Sequence, residues 1–155
     1  MDKKRCFLIG HHDAPESIYP ALQREIERHI TELGVTEFIV GHYGNFDRMA
    51  ARALVEAKQA HPEISLWLLL PYHPAEQKVE VPEGFNGSFY PEGMEKVPRR
   101  LAILKANHYV VDYVDYLIAY VNHCASNTQK MIKYARAKQV QTNYLLTKNE
   151  PLINN

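Results

Sequence analysis

A turn with two glycines carries the residues best suited to ligand chemistry. Gly41 and Gly44 lie between an apolar stretch typical of a strand and a stretch whose apolar residues recur at helical spacing. Such a turn leaves backbone N–H groups unpaired at the positive end of the helix dipole, which favours a phosphate. Glycine also lets a ligand approach the backbone without a Cβ in the way. The turn therefore predicts a site for a nucleotide or a related phosphorylated molecule.

Two polar side chains of this turn could act in that site. Asn45 is predicted as the N-cap of the following helix, and Asp47 falls in its first turn. Asp47 could complement the helix dipole alone, bond a ribose hydroxyl, or position the loop. The turn matches neither the GxGxxG pattern nor a Walker loop, so it specifies neither a dinucleotide nor a triphosphate.

Histidines follow several predicted strand ends, which would bring them to one edge of a parallel sheet. These residues are His11, His12, His42, His73 and His123. Together with Asp13 they could form a metal site, but no pair has the recurrent spacing of metal ligands, so the sequence predicts none. Histidines beside glycine turns also contact phosphates or bases. Of the remaining histidines, His108 is predicted as a core residue, and His29 and His61 as surface residues.

The stretch before the last predicted helix offers further candidates. Cys124 precedes a helix N-terminus, where a thiol pKa falls, but a lone loop cysteine is ordinarily a small filler. Ser126 and Thr128 are interpreted as cap residues that could offer hydroxyl and N–H groups to a phosphate. Catalytic residues are not identified, and no cofactor is predicted. The predicted ligand-binding residues are Gly10, His11, His12, Asp13, Gly41, His42, Tyr43, Gly44, Asn45, Asp47, Ser126 and Thr128.

Alternating strand and helix patterns would position these loops. The predicted strands are Arg5–Gly10, Thr36–Val40, Ile64–Leu70, Asp115–Val121 and Asn143–Leu146, and the predicted helices are Glu16–Leu33, Phe46–Ala60, Val97–Val111 and Thr128–Gln139. The alternation predicts an α/β fold, a single Rossmann-like three-layer domain with a parallel sheet of about five strands in the order 3-2-1-4-5. In that order the ligand loops lie at the C-terminal ends of the strands, beside the switch point between strands one and four.

One segment interrupts the pattern. Residues 71–98 carry prolines and glycines without a sustained period, which predicts a long loop or a mobile lid over the ligand. The alternative is a static surface loop that is held in place by the packing of Phe85, Phe89 and Tyr90. Residues 147–155 are predicted as a polar tail of the single domain 1–155.

Composition bounds the class of protein. Lys plus Arg and Asp plus Glu number 18 each, so no global field favours nucleic acid or an anionic membrane. Two cysteines fit a reducing compartment, and no long apolar segment predicts a signal peptide or membrane span, so a cytoplasmic location is expected. A tyrosine-rich stretch leaves surface for a possible homodimer: Tyr109, Tyr113, Tyr116 and Tyr120.

Three stretches carry a resemblance to a known superfamily. Residues 6–11 (CFLIGH), 41–54 (GHYGNFDRMAARAL) and 115–121 (DYLIAYV) resemble the SMF/DprA–LOG (SLOG) superfamily of Rossmann-like proteins, within which the chain is most similar to small stand-alone bacterial members of unassigned function. The resemblance spans about Arg5 to Leu146. It implies binding of a nucleotide or nucleotide derivative at Gly10–Asp13, at Gly41–Asp47 and in the loop after Val121.

Two groups of relatives bracket the functions that the resemblance implies. Lonely guy-type phosphoribohydrolases use a PGGxGTxxE loop after the fourth strand, whereas residues 122–128 here read NHCASNT and lack the double glycine and the glutamate. DNA-processing relatives bind single strands with a basic surface, which the net charge of zero does not favour. The first hypothesis is therefore a nucleotide-binding or sensing protein. The alternatives are a hydrolase or transferase acting on an N-glycosidic or phosphate bond, and a subunit of a larger assembly with a vestigial site.

Overall fold

A computed structural model describes residues 3–121 and 127–145, and its centre is one sheet of parallel strands. The strands are β1 (Lys4–Gly10), β2 (Val35–Val40), β3 (Ser65–Leu69), β4 (Gly87–Phe89), β5 (Tyr116–Tyr120) and β6 (Gln141–Tyr144). They lie in the order β4-β3-β2-β1-β5-β6, and every neighbouring pair is parallel. The two middle strands, β1 and β2, are rich in buried apolar residues because helices cover both faces of the sheet there.

Four α-helices form the outer layers. They are α1 (Tyr19–Thr31), α2 (Asn45–Ala60), α3 (Ala102–Tyr113) and α4 (Asn127–Ala137), and short 3-10 helices cover Glu16–Ile18, Met94–Lys96 and Arg99–Leu101. Helices α1 and α2 pack in one core with side chains such as Leu22 and Phe46. Helices α3 and α4 pack on the opposite face through side chains such as Val110 and Met131. The result is a three-layer α/β fold.

The predicted fold class is confirmed, with one correction to the number of strands. The five predicted strands lie in the predicted order, and β4 is added at the edge beside β3. Strand β4 has only three residues and lies within the 71–98 segment, which was predicted to be irregular. Such a short strand offers no period to detect. The predicted tail, residues 147–155, lies outside the described residues.

The prediction of a surface position for His29 is wrong. Its side chain is fully buried on α1 and packs edge-on against the ring of Tyr116 with centroids 5.5 Å apart. Its Nδ1 lies 2.7 Å from the Glu25 carbonyl, which only accepts, so Nδ1 donates and Nε2 accepts from the Asn143 amide at 3.1 Å. Burial lowers the pKa of His29 despite this bond to Glu25. The imidazole is thus a neutral link between α1 and β6.

Two other predictions about side-chain exposure have mixed outcomes. His61 is half-buried at the end of α2 and lies 3.0 Å from a carboxylate oxygen of Glu27. His108 is only partly buried on α3, where its ring stacks on Tyr134 with centroids 4.3 Å apart. His108 is therefore satisfied by an aromatic neighbour at the margin of the core.

No helix among the residues that the structure describes has the length and apolar character needed to cross a membrane.

Helix α1 ends before Gly34, whose φ of +74° suits glycine and lets the chain turn into β2. The longest helix, α2, has 16 residues and buries only one side. It runs away from the C-terminal edge of the sheet, so its N-terminus lies at that edge.

Candidate functional site

The loops that follow β1 and β2 interlock at the C-terminal edge of the sheet, which is called the crest below (residues 10–13, 41–47 and 70–73). A Cβ atom built on Gly44 would lie 2.3 Å from the Cα atom of His12, so no larger residue fits without moving the backbone. The N–H of Asn45 also donates to the His12 carbonyl at 2.8 Å. Since the φ of Gly44 is −167°, proximity and not conformation explains this glycine.

A second close contact joins the end of β1 to α2. A Cβ atom on Gly10 would lie 2.4 Å from the ring of Phe46, which is fully buried. The ring therefore packs directly on the backbone of Gly10. Together the two contacts fix the first turn of α2 against both neighbouring loops, so two of the predicted ligand-binding glycines have a packing role.

Asp47 holds the glycine turn in place. One of its carboxylate oxygens accepts the Tyr43 N–H at 2.8 Å and would lie 3.1 Å from a Cβ atom on Gly41. Burial raises the pKa of Asp47 to about 6, while the bond from Tyr43 and the charge of Arg48 oppose the shift. Of the roles left open by the sequence, positioning of the loop is therefore the one that these contacts support directly.

The prediction that Asn45 is the N-cap of α2 is wrong. Gly44 occupies the cap position, and among the described residues no side chain caps this helix end. Asn45 is the first helical residue, and its side-chain oxygen accepts a hydrogen bond from Arg48. The Tyr43 and Asn45 amides are bound within the protein, so an anion would have to use the remaining amides of the first turn.

The predicted crowding of histidines at the crest is only partly seen. His11 is buried and packs edge-on against Tyr120, whereas His12 and His73 are exposed. The His42 ring packs at a tilt against the Tyr43 ring with centroids 4.2 Å apart, and burial lowers the pKa of His42 although a polar interaction with the backbone of Leu69 opposes the shift. Within residues 3–121 and 127–145, no three His, Cys, Asp or Glu side chains come together as metal ligands could.

The remaining predicted site residues have mixed outcomes. Ser126, Cys124 and His123 lie outside the described residues. Thr128 is buried in the first turn of α4, and Asp13 is exposed in the loop after β1. The loops after β1 and β2 thus meet as predicted, while the contribution of the loop after β5 stays a prediction.

A cavity of about 250 Å³ lies beside the crest, and no sequence pattern predicted it. This crest cavity is lined by Pro71, Tyr72, His73, Glu76, Tyr90, Met94, Glu95, Val97, Arg99 and Ala102. The ring of Tyr72 lies edge-on to the exposed ring of Tyr43, with centroids 6.5 Å apart, which joins the cavity to the glycine turn. Arg99 places its guanidinium 4.5 Å from the centre of the Tyr72 ring and 3.5 Å from the Glu76 carboxylate.

The 71–98 segment builds most of this cavity and is anchored through residues in its interior. Asn86 accepts the Leu66 N–H at 2.9 Å and a bond from Lys58 at 2.7 Å, which fastens the segment to β3 and α2. Phe85 packs on one core, and Phe89 and Tyr90 pack on the other. These contacts agree with a segment pinned by its aromatic residues, and its movement on ligand binding stays a prediction.

Replacing Asp47 with asparagine should stabilise the ligand-free protein. The amide oxygen can still accept the Tyr43 N–H, and no charge is left buried, so we expect a gain of about 1–2 kcal/mol at pH 8 after loss of the helix-dipole term. Because the folded pKa of about 6 lies above the ordinary 3.8, the penalty is complete above pH 6 and fades as the pH falls toward 3.8. Urea unfolding between pH 4 and pH 8 measures the difference.

The matched control for this prediction is Asp13→Asn, which changes an exposed carboxylate of the neighbouring loop. A destabilised Asp47→Asn protein at pH 8, or a gain that does not shrink on acidification, would contradict the burial of charge at this position.

No protein-family model matches the chain, and no curated protein matches it significantly.

Proposed function

We propose that the protein binds or senses a nucleotide or a nucleotide-derived phosphorylated ligand at the crest. The observation that carries this proposal is the crest cavity, which opens beside the glycine turn through the contact of Tyr43 with Tyr72. In open α/β sheets, ligands bind outside the C-terminal ends of the strands near the switch point. Here that point lies between β1 and β5, so it supports a ligand at the loop after β1 and the adjoining glycine turn, and the cavity after β3 extends that region.

The two parts of the crest suit the two ends of such a ligand. The first turn of α2 offers the positive end of a 16-residue helix dipole to a phosphate, with no side-chain cap among the described residues to compete. The aromatic rings of Tyr43 and Tyr72 offer surfaces on which a base can stack. The resemblance to the SLOG superfamily points to the same kind of ligand and stays a prediction.

Nucleotides should therefore raise the melting temperature of the protein. At a ligand concentration 100 times the dissociation constant, stabilisation by mass action is about 2.7 kcal/mol, which corresponds to roughly 5–10 °C for a domain of this size. A thermal-shift panel would contain the monophosphates and diphosphates of all four common bases and ADP-ribose. Absence of any shift at millimolar concentration would overturn the proposal.

Two tyrosine variants provide a matched test of where the ligand lies. Tyr43 at the crest and Tyr113 at the end of α3 are 40% and 42% exposed. Tyr43→Ala should weaken the apparent affinity for nucleotide, obtained from the ligand dependence of the melting temperature, at least tenfold. Tyr113→Ala should leave that affinity unchanged. The opposite result would move the ligand away from the glycine turn.

The alternative function is a hydrolase or transferase acting on an N-glycosidic or phosphate bond of a nucleotide. One observation favours it: the Asp47 carboxyl lies at the crest with a pKa raised by burial to about 6, a value suited to acid or base catalysis. Chromatography of free base released from nucleoside monophosphates tests this alternative. Turnover that survives repurification and is lost in Asp47→Asn would place the enzyme first.

We further propose that two copies of the chain associate through α3. The protein is also proposed to be cytoplasmic and not to bind nucleic acid. Tyr109 and Tyr113 are exposed on α3 and flank Phe89, with ring centroids 5.7 Å and 5.9 Å from it. The other two tyrosines of the predicted surface do not contribute, because Tyr120 is fully buried and Tyr116 packs on the core. Sedimentation of the wild type and of Tyr109→Ser tests the association.

A further inference from the structure

Polar, charged and aromatic side chains line the crest cavity. Met94 is a buried lining residue, and the ring of Tyr72 lies under the Arg99 guanidinium. Two further lining residues, His73 and Tyr90, pack edge-on with centroids 5.3 Å apart. Planar rings bind well to such surfaces, and stacking of a base on an aromatic side chain is worth about 1–3 kcal/mol.

The charged side chains that line the cavity determine whether it can bind the phosphate or the base of a nucleotide. Glu76 and Glu95 line it together with one cation, Arg99, which lies 3.5 Å from Glu76. The carboxylates outnumber the guanidinium, so a phosphate dianion is not favoured there. Both carboxylates also lie near enough to Tyr90 to raise its pKa, after burial as the larger cause. A neutral group rich in N–H donors fits this cavity best.

Carboxylates accept hydrogen bonds and do not donate them when ionised. The pairing edge of guanine carries an N1–H beside an exocyclic amino group, so one carboxylate can accept both bonds at once. Adenine and cytosine offer an amino group beside an acceptor nitrogen, and uracil places a carbonyl oxygen on each side of its single N–H. A carbonyl oxygen that faces a carboxylate is repelled, and the carboxylate then lacks a hydrogen-bond donor.

We propose that the crest cavity receives the base of the ligand and selects guanine through Glu76 and Glu95, with the phosphate directed to the first turn of α2. This inference rests on the proposed nucleotide binding and adds the identity of the base. Tyr72 and Tyr90 supply stacking surface for any base, while the two carboxylates supply the discrimination.

Calorimetric titration of the wild-type protein with GMP, AMP, CMP and UMP tests the inference, because these four ligands share the sugar and the phosphate. We expect GMP to bind most tightly and UMP at least tenfold more weakly. Equal affinities for all four, or tighter binding of UMP, would overturn guanine selection and leave nucleotide binding intact. Failure of all four to bind at millimolar concentration would overturn guanine selection, whereas nucleotide binding itself is overturned only when the diphosphates and ADP-ribose of the thermal-shift panel also fail.

Charge-neutral variants test whether the two carboxylates distinguish guanine from the other bases. Glu76→Gln and Glu95→Gln keep the shape of the side chain, and the double variant should reduce the preference for GMP over UMP at least fivefold. Glu83→Gln is the matched control, since Glu83 is exposed on the same segment and does not line the cavity. Preference for GMP that persists in the double variant would overturn the role of these carboxylates.

Discussion

Phe46→Ala should lower the free energy of unfolding by about 3–5 kcal/mol, which is the usual range for removing a fully buried aromatic ring. Phe46 is completely buried, belongs to the core between α1, α2 and the sheet, and covers the backbone of Gly10. Its loss opens a cavity directly beneath the crest. Urea unfolding followed by circular dichroism measures the change.

Gly10 and Phe46 should also be coupled. Gly10→Ala forces a Cβ atom to within 2.4 Å of the ring, so it should destabilise the wild type more than it destabilises Phe46→Leu, whose side chain leaves room. Phe85→Leu, in a half-buried ring elsewhere on the same core, is the matched background and should show no coupling with Gly10→Ala. Equal costs of Gly10→Ala in all three backgrounds would contradict the contact.

Gly44→Val should destabilise the protein by about 1–3 kcal/mol or more, because an added Cβ would lie 2.3 Å from the Cα atom of His12. The neighbouring atom is backbone, so the loop after β1 must move as a whole. The effect is expected in the ligand-free protein, and thermal unfolding without nucleotide measures it.

Gly41→Ala is the control for this second prediction. A Cβ there would lie 3.1 Å from a carboxylate oxygen of Asp47, a side chain that can shift by a few tenths of an ångström, so the loss of stability should be smaller. Equal stability of wild type and Gly44→Val would show that the two loops do not interlock. Loss of ligand binding in Gly44→Val would not by itself place Gly44 against the ligand.

The strands could be located along the chain because apolar runs mark the buried ones plainly, whereas their order was predicted by analogy with other parallel α/β sheets. The predicted and observed bounds of β1, β2 and β3 differ by at most one residue at either end, since each strand contains an apolar run that is followed by turn residues. Strand β4 could not be found in this way. Its three residues pair with Trp67–Leu69, and that pairing depends on tertiary anchors such as Asn86.

Features of the site that follow from local periodicity could be predicted from the sequence, and features that depend on distant contacts could not. His29 follows Leu22 and Ile26 at helical spacing on α1, so its burial could have been found from periodicity alone. The crest cavity could not, because its walls come from Tyr72, Tyr90 and Arg99, which are brought together only by the path of the 71–98 segment. The raised pKa of Asp47 likewise depends on its burial in the folded protein.

The position of β1 in the middle of the sheet has a consequence for the order in which the chain can fold. Arg5 and Asp115, 110 residues apart, exchange hydrogen bonds of 3.0 Å where β1 meets the start of β5. During synthesis β1 leaves the ribosome before the other described strands, yet its second neighbour, β5, follows more than 100 residues later. Until then, Phe7 and Ile9 of β1 lack the α3 side of the core. Pairing over such a separation slows folding, so the nascent chain exposes an apolar surface that the finished protein hides.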